Sequence, residues 1–288
     1  MKNILLAIAI LIGFGLHAQH FEVGLMAGAS NYMGDLSNNS NTVYLSETGA
    51  TGGLFARYNF NDWVALRLNG QYGWISGEDA NSSEEVVRLR NLSFRSNIYE
   101  AALIGEFNIL GYQPYNNERM FSPYVFAGIA LAWFNPRAEY QGETYDLQPL
   151  GTEGQGIPGR EAAYGTSTFA IPLGLGFKYS INDTWNLGFE VGARRAFTDY
   201  LDDVSTTYVA FDELLAANGE LAAALGNRTG ELENIDVPTQ VPTGTRRGDN
   251  SSADWYFFAG FTLSINFIDN GLVGSRWRRR SNSGCETD

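Results

Sequence analysis

Apolar and polar side chains alternate along several segments of this chain, and residues 254–267 show the pattern most clearly. One set of alternate positions is apolar throughout: Trp255, Phe257, Ala259, Phe261, Leu263, Ile265 and Phe267. The other set is mostly small or polar: Tyr256, Phe258, Gly260, Thr262, Ser264 and Asn266. Successive side chains of a β-strand point to opposite faces. The segment therefore predicts a strand with lipid on one face and a packed polar lumen on the other.

Eight segments are predicted as strands: residues 20–33, 50–60, 63–76, 94–109, 121–134, 167–180, 184–198 and 254–267. The connections between them alternate in length. Those at 61–62 and 181–183 are tight, and 110–120 is moderate, whereas 34–49, 77–93, 135–166 and 199–253 are long. Short turns that alternate with long loops are typical of outer-membrane barrels. The expected fold class is all-β, an eight-stranded antiparallel transmembrane β-barrel with long extracellular loops.

Charged residues occupy inward-facing positions of these strands: Arg57, Arg67, Glu100, Glu106, Lys178, Glu190 and Arg194. Eight strands enclose only enough room for side chains, so these ions are expected to pair with one another inside the lumen. A transport pathway is the alternative. Five of the six tryptophans fall at predicted strand ends, where interfacial girdles lie. These are Trp63, Trp74, Trp133, Trp185 and Trp255.

The two ends of the chain differ from the predicted barrel segment, residues 19–267. Residues 1–18 resemble a secretory signal peptide, because Lys2 precedes an apolar run and cleavage is expected before Gln19. Residues 268–288 form a basic tail, which is periplasmic if the N-terminus is periplasmic. The formal net charge of -13 argues against a nucleic-acid partner.

Little in the sequence indicates catalysis. The two histidines are His17, within the signal, and His20, at the start of the mature chain. No histidine base is therefore available at the outer rim for a hydrolase mechanism. The protein is predicted not to be an enzyme, and no cofactor or small-molecule substrate is expected. The glycine-rich run 151–159 is expected to provide backbone freedom or close packing in a long loop, not a phosphate site.

The last long loop carries two further features. Asp199, Asp202 and Asp203 cluster just beyond the seventh strand. They are weak candidates for calcium, which prefers several carboxylate oxygens, and hydrogen bonding within a structured loop is the alternative. Residues 211–225 are predicted to form one helix, which packs on its own loop or binds an extracellular partner. Its apolar stripe consists of Leu214, Leu215, Leu221 and Leu225.

Four stretches together span most of the mature chain: YMGDL at 32–36, FNP at 134–136, LQPLGTEGQG at 147–156 and RRAFTDYLDDVS at 194–205. In this order they resemble a family of Bacteroidetes outer-membrane β-barrels that includes the PorG-type subunit of the type IX secretion system. The TDYLDDVS segment is the most specific of them. The resemblance implies an eight-stranded barrel that links the outer membrane to the periplasmic ring built by the PorK lipoprotein and PorN.

The tail reverses the acidic character of the chain with Arg276, Trp277, Arg278, Arg279 and Arg280. Arginine forks bind carboxylates, and arginine and tryptophan are frequent interface anchors. These residues are therefore predicted to bind a periplasmic protein, and contact with inner-leaflet phosphates is the alternative. Cys285 is the single cysteine, which indicates either a disulfide to a partner or a passive thiol.

The sequence thus predicts a non-enzymatic anchor and assembly subunit of the type IX secretion system in the outer membrane of a Gram-negative bacterium, with both termini periplasmic. Its expected partners are outer-membrane lipids, the PorK-type lipoprotein, the PorN-type protein and other secretion components. The alternative is a standalone surface barrel that acts in adhesion or envelope stability. A porin is a third option, which the narrow lumen disfavours.

Overall fold

The computed structural model describes residues 21–37, 45–113, 119–232 and 239–267. The strands in these ranges are β1 (Phe21–Met33), β2 (Gly49–Asn59), β3 (Val64–Glu78), β4 (Ser93–Asn108), β5 (Phe121–Tyr140), β6 (Glu143–Asp146), β7 (Ser167–Ser180), β8 (Trp185–Ala196) and β9 (Trp255–Phe267). The α-helices there are α1 (Glu85–Arg90), α2 (Phe211–Asn218) and α3 (Glu220–Gly226). No helix within the described ranges is long and apolar enough to cross a membrane.

Eight of these strands close into an antiparallel barrel in the order β1, β2, β3, β4, β5, β7, β8 and β9. The ring closes because β9 pairs with β1, from Phe21 opposite Phe267 to Met33 opposite Trp255. The strand β6 pairs with the last four residues of β5 and lies outside the ring. The predicted eight-stranded barrel is therefore confirmed. Connection lengths also alternate, so the barrel has a short-turn end and a long-loop end.

Three local predictions are wrong. The segment 135–166 is not wholly loop, because β5 continues to Tyr140 and turns into β6 through Gln141 and Gly142, at φ 52° and 83°. The single helix predicted for 211–225 is two helices. Gly219 separates α2 from α3 at φ 93° and ψ 175°, a conformation that only glycine adopts readily. The helix α1 also lies in a segment predicted as loop.

The outer face of the barrel is an apolar belt. Large side chains that are more than half exposed there include Leu68, Ile129, Phe169, Leu175 and Phe261. Soluble monomers rarely expose a contiguous apolar surface of this kind. An apolar exterior on a closed antiparallel barrel is the outer-membrane type of architecture, in which lipid covers the belt.

The lumen contains a network of ion pairs centred on Glu106. Its carboxylate contacts Arg57 Nε at 2.9 Å, Arg67 Nε at 3.1 Å and Lys178 Nζ. Arg67 also binds Glu190 in a bidentate manner, at 2.6 and 3.1 Å. These contacts join β2, β3, β4, β7 and β8 across the interior, so the lumen is filled by paired ions.

Two more pairs complete the network. Arg57 contacts Glu22 at 2.7 Å, and Arg194 contacts Glu100 at 3.4 Å. All seven lumen ions predicted from the sequence are buried, which confirms that prediction. Glu22 was not predicted as a member, and with it four cations face four carboxylates. Two buried tyrosines add hydroxyl donors, since Tyr124 binds Glu190 and Tyr256 binds Glu100, each at 2.7 Å.

Tyr112 lies at the short-turn end and is buried, with its ring centre 5.4 Å from Lys178 Nζ. Next to it, Arg119 pairs with Asp62 at 2.7 Å. The connection 110–120 therefore contributes a buried aromatic ring to the interior as well as an ion pair at the surface.

Replacing Glu106 by glutamine tests the lumen network. The change keeps the side-chain volume but leaves three buried cations short of a counter-charge. We expect the free energy of unfolding to fall by about 3–5 kcal/mol, measured by urea titration of the barrel in lipid vesicles. Glu139→Gln, at an exposed position, is the matched control and should change little. Equal stability of the two variants would contradict the assigned role of Glu106.

Candidate functional site

The four long connections pack together at the long-loop end. We call them the loop cap, defined by the described residues of 34–48, 79–92, 141–166 and 197–254. Three of the four motif stretches, 32–36, 147–156 and 194–205, contribute buried side chains to its centre, among them Tyr32, Glu153, Asp202 and Asp203. The cap is therefore the candidate functional site of this chain.

A tyrosine between two carboxyl groups forms the centre of the cap. Tyr32 Oη lies 2.6 Å from Asp202 Oδ2 and 3.0 Å from Asp254 Oδ1, and all three side chains are buried. Burial raises the pKa of both Asp202 and Asp254 well above the usual range. A hydroxyl has one proton to donate, so both contacts are satisfied when one carboxyl group is protonated and donates to Tyr32.

Backbone amides complete the coordination of the two carboxyl groups. Asp202 accepts hydrogen bonds from the amides of Leu36, at 3.2 Å, and Val204, at 2.9 Å. Asp254 accepts one from the amide of Leu201 at 2.9 Å. These bonds join the first loop, the last loop and the start of β9.

Gly34 allows the close approach of these groups. A Cβ atom at this position would lie 2.0 Å from both Tyr32 Oη and Asp254 Oδ1. Any larger residue would therefore have to displace the Tyr32–Asp254 contact. The close packing around Tyr32 thus explains why the YMGDL stretch has glycine at position 34.

The third loop joins the last loop through Asp203 and Glu153. Asp203 is buried in the left-handed conformation, at φ 69°, and accepts hydrogen bonds from Thr152 Oγ1 and Tyr164 Oη, each at 2.5 Å. Glu153 accepts from the amides of Ser205 and Thr206, each at 3.0 Å. The GTEGQG and TDYLDDVS stretches are therefore bound to each other.

Arg247 and Arg90 extend the network to the second loop, residues 79–92. Arg247 contacts Glu153 at 3.0 Å and donates to the Asp203 carbonyl oxygen at 2.7 Å. Arg90 binds both oxygens of Asp79 at 2.7 Å and donates to the carbonyl oxygens of Asp35 and Arg247 at the same distance. All four loops are thereby part of one hydrogen-bonded unit.

The glycine-rich run and the helices pack against each other. Gly151, Gly154 and Gly156 have φ of 62°, 79° and 88°, which is the backbone freedom expected for this run. Asn218 Nδ2, at the end of α2, donates toward the carbonyl oxygens of Leu150 and Gly151 at 3.0 Å. The predicted stripe mostly faces inward, because Leu214 and Leu225 are buried and Leu221 packs on the core, whereas Leu215 is 40% exposed.

The predicted aspartate cluster does not converge on a common point. Asp202 and Asp203 bind different partners, and Asp199 is half-buried with burial raising its pKa to about 8. In the part of the chain that the structure describes, no three acidic, histidine or cysteine side chains are placed to hold a metal ion. The predicted tail residues Arg276, Trp277, Arg278, Arg279, Arg280 and Cys285 lie outside the described residues.

A family profile described as "Domain of unknown function (DUF6089)" matches residues 1–221. The chain belongs to this family. The matched range contains all four motif stretches, including those that build the centre of the cap. No curated protein matches the sequence at a significant level.

Solved outer-membrane barrels are similar to this chain at low sequence identity. The N-terminal barrel domain of Pseudomonas aeruginosa OprF is 13% identical, over 86% of this chain and 98% of that one, with a TM-score of 0.35. Neisserial surface protein A is 10% identical, over 86% of this chain and 97% of that one, with a TM-score of 0.41. Yersinia pestis Ail, in complex with the heparin analogue sucrose octasulfate, is 9% identical, over 85% of this chain and 98% of that one, with a TM-score of 0.36. The barrel assignment follows from the strand pairing described above and not from these superpositions.

Replacing Tyr32 by phenylalanine tests the centre of the cap. Loss of the hydroxyl leaves two buried carboxyl groups without a shared partner, which should favour local opening by about 1–3 kcal/mol. Hydrogen exchange in peptides of residues 197–232 should accelerate, while strands β3 and β4 keep their protection. Tyr145→Phe removes an exposed tyrosine hydrogen bond, to Glu143 at 2.7 Å, and serves as the control. Unchanged exchange in Tyr32→Phe would contradict the model of the cap.

The cap should also loosen as the pH rises. Burial raises the pKa of Asp203 to about 6 and of Asp199 to about 8, so the folded cap binds more protons than the unfolded chain. Its stability is fully present below the unfolded carboxyl pKa of about 4 and is lost as the pH rises through these folded values. Loop peptides should therefore exchange faster at about pH 9 than at about pH 5, after correction for intrinsic rates. Equal protection at both values would refute this expectation.

Proposed function

We propose that this protein is a non-enzymatic membrane anchor and assembly subunit, of the PorG type, in the type IX secretion system of a Bacteroidetes outer membrane. The filled lumen is the observation that carries the anchor role. Its ions pair with one another, Tyr112 is buried at one end and the loop cap lies at the other. A barrel with a filled interior is proposed to act through its lipid-facing belt and its two ends.

The periplasmic contact is assigned to the short-turn end. The chain enters β1 and leaves β9 there, since Phe21 lies opposite Phe267. The basic residues at 276–280 follow this exit within the next part of the sequence. In this proposal they bind the periplasmic ring of PorK-type and PorN-type proteins, and Cys285 forms a disulfide to one of them. The resemblance of the motif stretches supports this choice of partner.

The cap serves as a docking surface for other secretion components in this proposal. Buried hydrogen bonds join its loops, and many of them come from the motif stretches, which supports a surface of defined shape. A role of the cap shared across the family would explain why three of the four motif stretches contribute to it.

A standalone surface barrel for adhesion or envelope stability is the second candidate. It is favoured by exposed apolar side chains on the cap, such as Val86 at 81% and Leu215 at 40%. These could bind an external partner without any contribution from the tail.

A pull-down in mild detergent distinguishes the two functions. The intact protein is compared with a version that ends at Phe267, and with a full-length variant in which the four tail arginines are glutamine. We expect a periplasmic lipoprotein to co-purify with the intact chain alone. Recovery of all three proteins without partners, yet as heat-modifiable barrels, would favour the standalone surface barrel.

The same experiment without reductant tests the cysteine. A heavier species on non-reducing gels should disappear in Cys285→Ser, because that variant cannot form the disulfide. Persistence of the heavier species would refute the disulfide. The contact made by the arginines would then be tested by the pull-down of the arginine variant alone.

A further inference from the structure

The outer face of β3, β4 and β5 becomes steadily more polar toward the long-loop end. Paired residues form three successive rows across these strands. The first row is Tyr72, Tyr99 and Trp133, the second is Trp74, Asn97 and Asn135, and the third is Ser76, Arg95 and Arg137. Aromatic side chains mark the boundary of the hydrocarbon layer. The third row therefore lies in the headgroup region.

The third row places two arginines directly opposite each other. Arg95 on β4 pairs in register with Arg137 on β5. Side chains at such positions have Cβ atoms about 5 Å apart, and like charges there are destabilising. A bound anion between the two guanidinium groups would remove this repulsion.

The immediate surroundings leave most of the donors of this pair available. The guanidinium group of Arg95 lies over the Trp74 ring, whose centre is 4.9 Å from Cζ. Arg137 uses Nε to bind Asp146 at 2.6 Å, in a pair that is nearly half exposed on both sides. Within the described part of the chain, the terminal nitrogens of both guanidinium groups thus remain available to a common ligand.

An open cleft lies over the pair. Its lining includes Arg95 and Arg137, with Tyr72 and Asn97 on the side of the membrane and Glu139 and Thr144 on the side of the loops. Guanidinium forks match the geometry of phosphate oxygens. The Glu139 carboxylate and the Thr144 hydroxyl group, on the side of the loops, suit a hydroxylated sugar.

We propose that this cleft binds the phosphorylated sugar headgroup of a glycolipid in the leaflet adjacent to the long-loop end. The phosphate lies between Arg95 and Arg137, the sugar contacts Glu139 and Thr144, and the acyl chains lie along the row of Tyr72, Tyr99 and Trp133. The position of the cleft at the membrane boundary favours a lipid over a free anion. This site is independent of the secretion function proposed above.

Binding of a defined glycolipid to the full-length protein tests this site. The detergent-solubilised barrel would be titrated with lipid A that carries its phosphates and, separately, with the same lipid after dephosphorylation. Native mass spectrometry would measure the lipid bound in each case. We expect the phosphorylated lipid to bind, and Arg95→Gln/Arg137→Gln to weaken that binding roughly 10- to 100-fold. Arg195→Gln is the matched control, because Arg195 is an exposed arginine on β8 outside the cleft.

Three outcomes would overturn the proposal. They are equal binding of the two lipids, equal loss in the control and the double variant, and displacement of the lipid by inorganic phosphate at the same concentration. The last of these would assign the site to a free anion. The two arginines are not buried, so the variants should fold, and a heat-modifiable gel shift verifies this. If the double variant did not fold, Arg95→Gln alone would decide the question.

Discussion

The need to neutralise every charge inside a narrow barrel constrains the whole structure. Eight strands leave no room for a water-filled lumen, and an unpaired buried ion costs several kcal/mol. Glu106 meets this constraint by contacting cations from β2, β3 and β7 at once. Because alternate residues face opposite sides, a one-residue slip of any of these strands would place its ion in lipid. The network therefore stabilises the barrel mainly by fixing its register.

The loop cap satisfies buried charge in a different way. Its buried carboxyl groups, at Asp79, Glu153, Asp202, Asp203 and Asp254, outnumber the two arginines at 90 and 247 that reach them. Backbone amides, hydroxyl groups and retained protons supply the remaining partners. The lumen is thus held by ion pairs between side chains of opposite charge, whereas the cap depends in part on retained protons. The order of the cap is consequently sensitive to pH.

Sequence reasoning predicts the barrel well because strand alternation is a local signal. The inward positions of Arg67, Glu106 and Glu190 follow from counting along each strand. Glu22 was missed because the apolar and polar faces of β1 are less distinct. The cap contacts have no comparable signal, since Tyr32 and Asp202 are 170 residues apart and Arg247 and Glu153 are 94 apart. The break at Gly219 was missed because helical spacing of leucines continues across it.

These features together limit what the molecule can do. A filled lumen leaves little room for a solute, and the lipid belt fixes the orientation of the barrel relative to the bilayer plane. The two ends then offer the surfaces for contact, one formed by the cross-linked cap and the other lying beside the first and last strands. Paired strands, and ions such as Arg67 that connect opposite walls, join these ends into one unit. The anchor role proposed above would use this continuity, which arises from the same charges that set the strand register.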